Sequence, residues 1–120
     1  MHKVKIEIAD TPSKQAQGLM FRKSMEDDAG MLFSFKTPQR LKFWGLNTYM
    51  HLDIAFISSD KKIEKICHIS PLSEKVVASD KDCNYALEVN AGYFAKNNIR
   101  TGDSIELGDD CVIFEKNKGN

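Results

Sequence analysis

Val4, Ile6 and Ile8 alternate with Lys3, Lys5 and Glu7, the period-two signature of a strand with one buried face, so the chain is expected to open on a β-strand. Thr11-Pro12 then supplies an N-cap and a first-turn residue and Gly18 a stop, which predicts a short helix over 12–17. From Arg22 to Gly30 the sequence is polar and acidic, with Glu26-Asp27-Asp28 near its middle, and reads as an exposed loop. The apolar run Gly30-Met31-Leu32-Phe33-Ser34-Phe35 predicts a largely buried strand ended by Thr37-Pro38, because proline cannot donate to a ladder. A second extended stretch begins at Leu41 and takes in Phe43 and Trp44.

Residues 52–58 and 62–69 form the clearest hairpin, turning through Ser58-Ser59-Asp60-Lys61. Between Ile69 and Asn84 the pattern dissolves into a long connection around Pro71, of the kind that is often functional or mobile. A strand from Tyr85 to Val89, a short helix near Ala91 to Asn98 and a last hairpin complete the chain. The arms of that hairpin are Ser104–Leu107 and Cys111–Phe114, joined at Gly108-Asp109-Asp110. Many short strands with two short helices give a mostly β fold, a β-sandwich or partly closed barrel, with less than about a fifth of the residues helical. A doubly wound sheet is a poor fit, since the helical segments are too few and short to cross over between parallel strands.

Composition narrows the function classes. At 120 residues the chain is expected to be a single domain, 1–120, with a polar tail at 116–120 that frays. Seventeen basic residues balance seventeen acidic ones, so no overall field favours nucleic acid or an anionic membrane. No stretch is long and apolar enough to span a bilayer, and the N-terminus lacks a signal-peptide pattern, so the chain reads as cytoplasmic. A trimmed mature form of an exported protein would read the same way. Cys67, Cys83 and Cys111 have no paired spacing and are expected to be free thiols. Cys67 and His68 are adjacent and would point to opposite faces of a strand, so no metal site is expected, nor any cofactor.

Four segments stand out together. They are Gly18-Leu19-Met20-Phe21-Arg22, Gly30 to Phe35, Trp44-Gly45-Leu46-Asn47-Thr48 running on to Leu52-Asp53-Ile54-Ala55-Phe56, and Leu87-Glu88-Val89-Asn90-Ala91-Gly92. Their order and spacing resemble the family known as domain of unknown function 192, over nearly the whole chain from Ile6 to about Leu107. The resemblance implies a compact, mostly β domain, frequently found behind a signal or anchor in bacteria and archaea, with no established activity. The family pattern is Trp-Met-Lys-Asn-Thr with a proline before the Leu-Asp pair. Here Gly45-Leu46 replace Met-Lys, and His51 stands at the proline position.

Within these segments the polar residues Arg22, Asn47, Thr48, Asp53, Glu88 and Asn90 are the candidate ligand-binding set. Asn47, Thr48 and Asp53 sit among apolar residues, where an unpaired buried polar atom costs about 1–3 kcal/mol, so they need either backbone partners or a ligand. Glu88 and Asn90 share one strand face, which is either a solvated outer face or one wall of a cleft, and Asn90 is also placed to cap the following helix. Arg22 is suited to clamp a carboxylate or phosphate, or to pair with Glu88 or Asp53. Asp53 and Glu88 would serve as an acid–base pair if their environments split their pKa values, and His51 with Asp53 as a relay pair. On these residues removal of Asn47 is expected to be clearly destabilising and removal of Glu88 nearly neutral, with Asp53 between them.

Three functions are therefore carried forward. The first is a non-enzymatic binding module with a polar cleft for a small molecule or a peptide end. The second is a hydrolase-like enzyme using Asp53 and Glu88. The third is a protein-interaction domain docking through the 70–84 loop. The partner expected is a small molecule or a protein, with neither nucleic acid nor a membrane span.

Overall fold

The computed structural model describes residues 2–118. Seven strands and two short helices follow one another as β1 (His2–Ala9), α1 (Pro12–Gln17), β2 (Ala29–Phe43), β3 (Leu52–Ile57), β4 (Ile63–Ile69), β5 (Val77–Asn90), α2 (Tyr93–Lys96), β6 (Ser104–Leu107) and β7 (Cys111–Glu115). The strands form one sheet in the order β4-β3-β5-β2-β1-β7-β6. The sheet curls until its edges meet: Lys62 bridges to Ser104, Ile63 N–H donates to the Asp103 carbonyl, and Ile105 N–H donates to that of Lys61. This is the partly closed barrel anticipated from the strand pattern, and it is mostly β with two short helices.

Local signals explain much of this. Thr11 Oγ1 accepts from Lys14 N–H, Pro12 occupies the first turn and Gly18 ends α1 at a φ of 50°, where its missing side chain removes the steric cost. The expectation fails at the two long strands. Pro38 does not end a strand but lies inside β2, between the pairs Ser34–Tyr85 and Gln39–Cys83 where the register slips, so the ladder loses no donor it was using. The expected 69–84 connection is likewise shorter, because residues 77–84 form the first half of β5. At the next slip the buried Ser79 hydroxyl accepts from Leu41 N–H at 2.9 Å and donates to the Lys81 carbonyl, replacing ladder partners. One parallel pair does occur. β1 and β2 run parallel, and α1 with the segment after it makes the crossover.

Both faces of the central strands are covered. One apolar cluster draws on every strand and on α2, including Val4, Leu32, Ile57, Ile63, Leu87, Val89, Phe94, Ile105 and Phe114, and fills the curl. The other lies on the outer face of β2, β3 and β5, where Leu19, Met31, Phe33, Met50, Ile54 and Phe56 pack together. Of the expected tail, Lys116 and Asn117 bond to Asp103, and residues 119 and 120 lie outside the described residues. No helix among the described residues is long and apolar enough to cross a membrane.

Candidate functional site

The six candidate residues do not share one cleft. Arg22, expected against Glu88 or Asp53, instead forms a two-pronged ion pair with Glu7 on β1, its Nη2 donating to Glu7 Oε1 at 2.9 Å. That hydrogen bonding holds the Glu7 carboxyl below its ordinary range. Asn90, expected as a helix cap, donates from Nδ2 to the carbonyls of Met25 and Glu26, both at 3.0 Å, and so pins the acidic loop; the residue before α2 is Gly92, at a φ of 90°.

Asp53 and Glu88 are separated by the sheet itself. Cross-strand pairing sets Ile54 opposite Glu88 and Asp53 opposite Val89, and neighbours on a strand point to opposite faces. An acid–base pair of these two carboxylates is therefore not assembled. Asp53 Oδ2 accepts the Gly92 N–H at 2.8 Å, and Oδ1 lies 3.1 Å from His68 Nδ1. His68 Nε2 in turn lies 3.2 Å from His51 Nδ1, with the two rings stacked. The expected His51–Asp53 pair is not in direct contact; His68, which the β3–β4 register sets directly opposite Asp53, lies between the two. Deriving that register from the hairpin turn would have found it.

Asn47 and Thr48 shape a loop rather than point at a partner across the sheet. Asn47 has a φ of 55° and its carbonyl accepts from Phe21 N–H at 2.7 Å, while the Thr48 carbonyl accepts from Leu72 N–H at 3.0 Å. Gly45 is closed in by the neighbouring turn, since a Cβ there would lie 2.3 Å from the Ser70 carbonyl oxygen. Because a left-handed backbone costs most L-residues roughly 1–2 kcal/mol and glycine nothing, Asn47→Ala should lower stability by about that amount and Asn47→Gly by less than about 0.5 kcal/mol. Urea melts of the two variants check this. An equal loss in both would assign the effect to the side chain rather than to the backbone.

Glu88 is the exception among the six. It is only 5% exposed, lies on the outer face of β5 opposite Met31 and Ile54, and has no hydrogen bond or ion pair to any described residue. Burial pushes its carboxyl up to about 8, with no charged neighbour offsetting the loss of water. The expected solvated strand face is therefore overturned. Glu88 lines a cavity of about 330 Å³ between α1, the 18–20 turn, β2 and the 44–48 loop. Phe33, Phe43 and Trp44 give it aromatic walls, Thr48 a second buried polar residue, and Leu46 an apolar one where the resembled pattern has lysine.

A larger hollow of about 600 Å³ lies along β4 and the start of β5. Lys65 Nζ bonds both the Ala78 carbonyl and Asp80 there, and burial raises the Cys67 thiol above its ordinary range. Among the described residues no cluster of three or more His, Cys, Asp or Glu is arranged to hold a metal.

Known proteins place this architecture. The chain is 40% identical to a protein from Sinorhizobium meliloti 1021 whose crystal structure is described as that of a candidate transcription regulator. That match covers 88% of this chain and 82% of that one, with a TM-score of 0.85. It is 34% identical to a protein of unknown function from Novosphingobium aromaticivorans DSM 12444, again with a TM-score of 0.85, over 88% of this chain and 76% of that one. No curated protein is significantly similar to it. Residues 1–107 match the family DUF192, described as an uncharacterized ACR. The chain belongs to the DUF192 family, the domain of unknown function 192.

Proposed function

We propose that this chain is a binding domain that takes a small organic molecule, or the end of a peptide, into the cavity above β5, with one polar group of the ligand set against Glu88. The buried Glu88 carboxyl, which has no partner among the described residues, carries this reading. At 5% exposure the Glu88 carboxyl has little water to solvate it and no hydrogen bond from a described residue, so a donor placed in the cavity would satisfy it. The cavity is within the range of small-molecule sites, and it combines apolar walls with few polar groups, as such sites do. Of the six candidate residues Thr48 and Glu88 line it. Arg22, Asn47 and Asn90 hold the surrounding loops, and Asp53 anchors the far face.

A transcription-regulating role of the kind described for the Sinorhizobium protein is less well supported. A net charge of zero provides no field for neutralising phosphates, on which nucleic-acid affinity largely depends. Ligand-observed NMR with a library of fragments of about 6–15 non-hydrogen atoms tests the proposal. Hits should compete with one another, shift the Trp44 indole resonance and disappear in Leu46→Trp, a change that fills the cavity. Hits that persist in that variant would place binding elsewhere.

A further inference from the structure

We infer that the cavity is built for an organic ammonium group, a primary amine on an apolar body, whose nitrogen meets the Glu88 carboxylate in the cavity that Phe33, Phe43 and Trp44 line. This deepens the binding reading above and rests on it. Glu88 is buried at the sheet and lines the cavity, and among the described residues no group satisfies its carboxylate. Aromatic rings line the cavity beside Glu88, and a cation that reaches a ring face is favoured there over an anion or a neutral dipole. The exposed rings of Phe21, Trp44 and Tyr49, with Leu72, lie on and beside the loop that forms one wall, and they offer apolar cover to the body of the ligand.

The charged groups around the cavity leave this role to an incoming cation. Lys42, an exposed residue of β2, is the one other titratable group among the described lining residues, and it forms no ion pair with Glu88. α1 and the turn after it contribute Gln15, Gln17 and apolar side chains, β3 sets Ile54 opposite Glu88, and the 44–48 loop contributes no charge. Binding an ammonium ion transfers the Glu88 proton to solvent and leaves a carboxylate–ammonium pair. Apparent affinity should therefore rise about tenfold per pH unit below the raised Glu88 value and level off above it.

Titrations of the whole chain, followed by NMR at pH 6, 7 and 8, use phenethylamine, its neutral isostere 2-phenylethanol and the dipeptide Phe-Gly amide. Phenethylamine should gain roughly fiftyfold in affinity from pH 6 to pH 8 while 2-phenylethanol gains nothing. Glu88→Gln should abolish the gain and weaken the amine more than tenfold, leaving the alcohol unchanged. A dipeptide affinity at least tenfold above that of phenethylamine identifies the amine as a peptide end, and a lower one as that of a small molecule. Amine affinity that is flat or falls with pH, or equals that of the alcohol, overturns the ammonium assignment while leaving the cavity a ligand site. Failure of all three probes to bind overturns both.

Discussion

Glu88→Gln should stabilise the protein by about 3–5 kcal/mol at pH 8.5 and change it by less than about 1 kcal/mol at pH 5. Glu88 is 5% exposed, and its folded value is about 8 against 4.5 for a free side chain. Between those two values the folded state holds a proton that the unfolded chain has released. The wild type therefore has its full stability below pH 4.5, loses it progressively as pH rises through the window, and stays at the lower level above pH 8. Glutamine keeps nearly the same shape without a charge, so the variant escapes the loss. Urea melts of both proteins from pH 5 to pH 9, plotted as their difference, report this one group. A flat difference would mean that the carboxyl is solvated or partnered. Lower stability of the variant at pH 8.5 would mean a charge-stabilising neighbour, the ion-pair role once open to Arg22.

The second large effect concerns the closure of the barrel. Asp103 is 3% exposed, and its side chain accepts from Arg100 N–H at 2.9 Å, Asn117 N–H at 2.9 Å and Lys116 Nζ at 2.7 Å. Its own carbonyl takes the Ile63 N–H that ties the β3–β4 hairpin to the strand after it. Burial works to raise the carboxyl value, but these donors outweigh it and hold the group below its ordinary range. Asp103→Ala should cost about 2–4 kcal/mol at pH 7, because two backbone donors and a lysine lose their acceptor together. A depressed folded value stabilises above the unfolded one, and that stability is lost as pH falls through the folded value. The penalty should therefore shrink toward pH 2 to 3. Denaturant melts of the variant at pH 7 and pH 3 check both parts, and a loss below about 1 kcal/mol at pH 7 would show that water replaces the carboxylate.

Local chemistry in the sequence determined the short elements. Alternation marks β1, the turns at 58–61 and 108–110 mark the β3–β4 and β6–β7 hairpins, and Thr11, Pro12 and Gly18 delimit α1, because each signal acts within a few residues. The family segments were also legible, as a pattern of residue types at fixed spacing. Tertiary structure decided the rest. Pro38 could stay inside β2 only because β5 slips its register beside it, and residues 77–84 became strand because β2 offered them a partner. Glu88 was misread for a related reason. Tyr85 to Val89 is almost continuously apolar, the mark of a strand covered on both faces, yet a second cover is supplied by α1, the 18–20 turn and the 44–48 loop, remote in sequence. Register then set Asp53 and Glu88 on opposite sides of the sheet, and Arg22 found Glu7 because parallel pairing lays the start of the chain beside β2. Whether a polar residue meets solvent, a backbone group or a cavity depends on which distant segment folds over it, and that is settled by packing and register between strands rather than by the residues beside it in the chain.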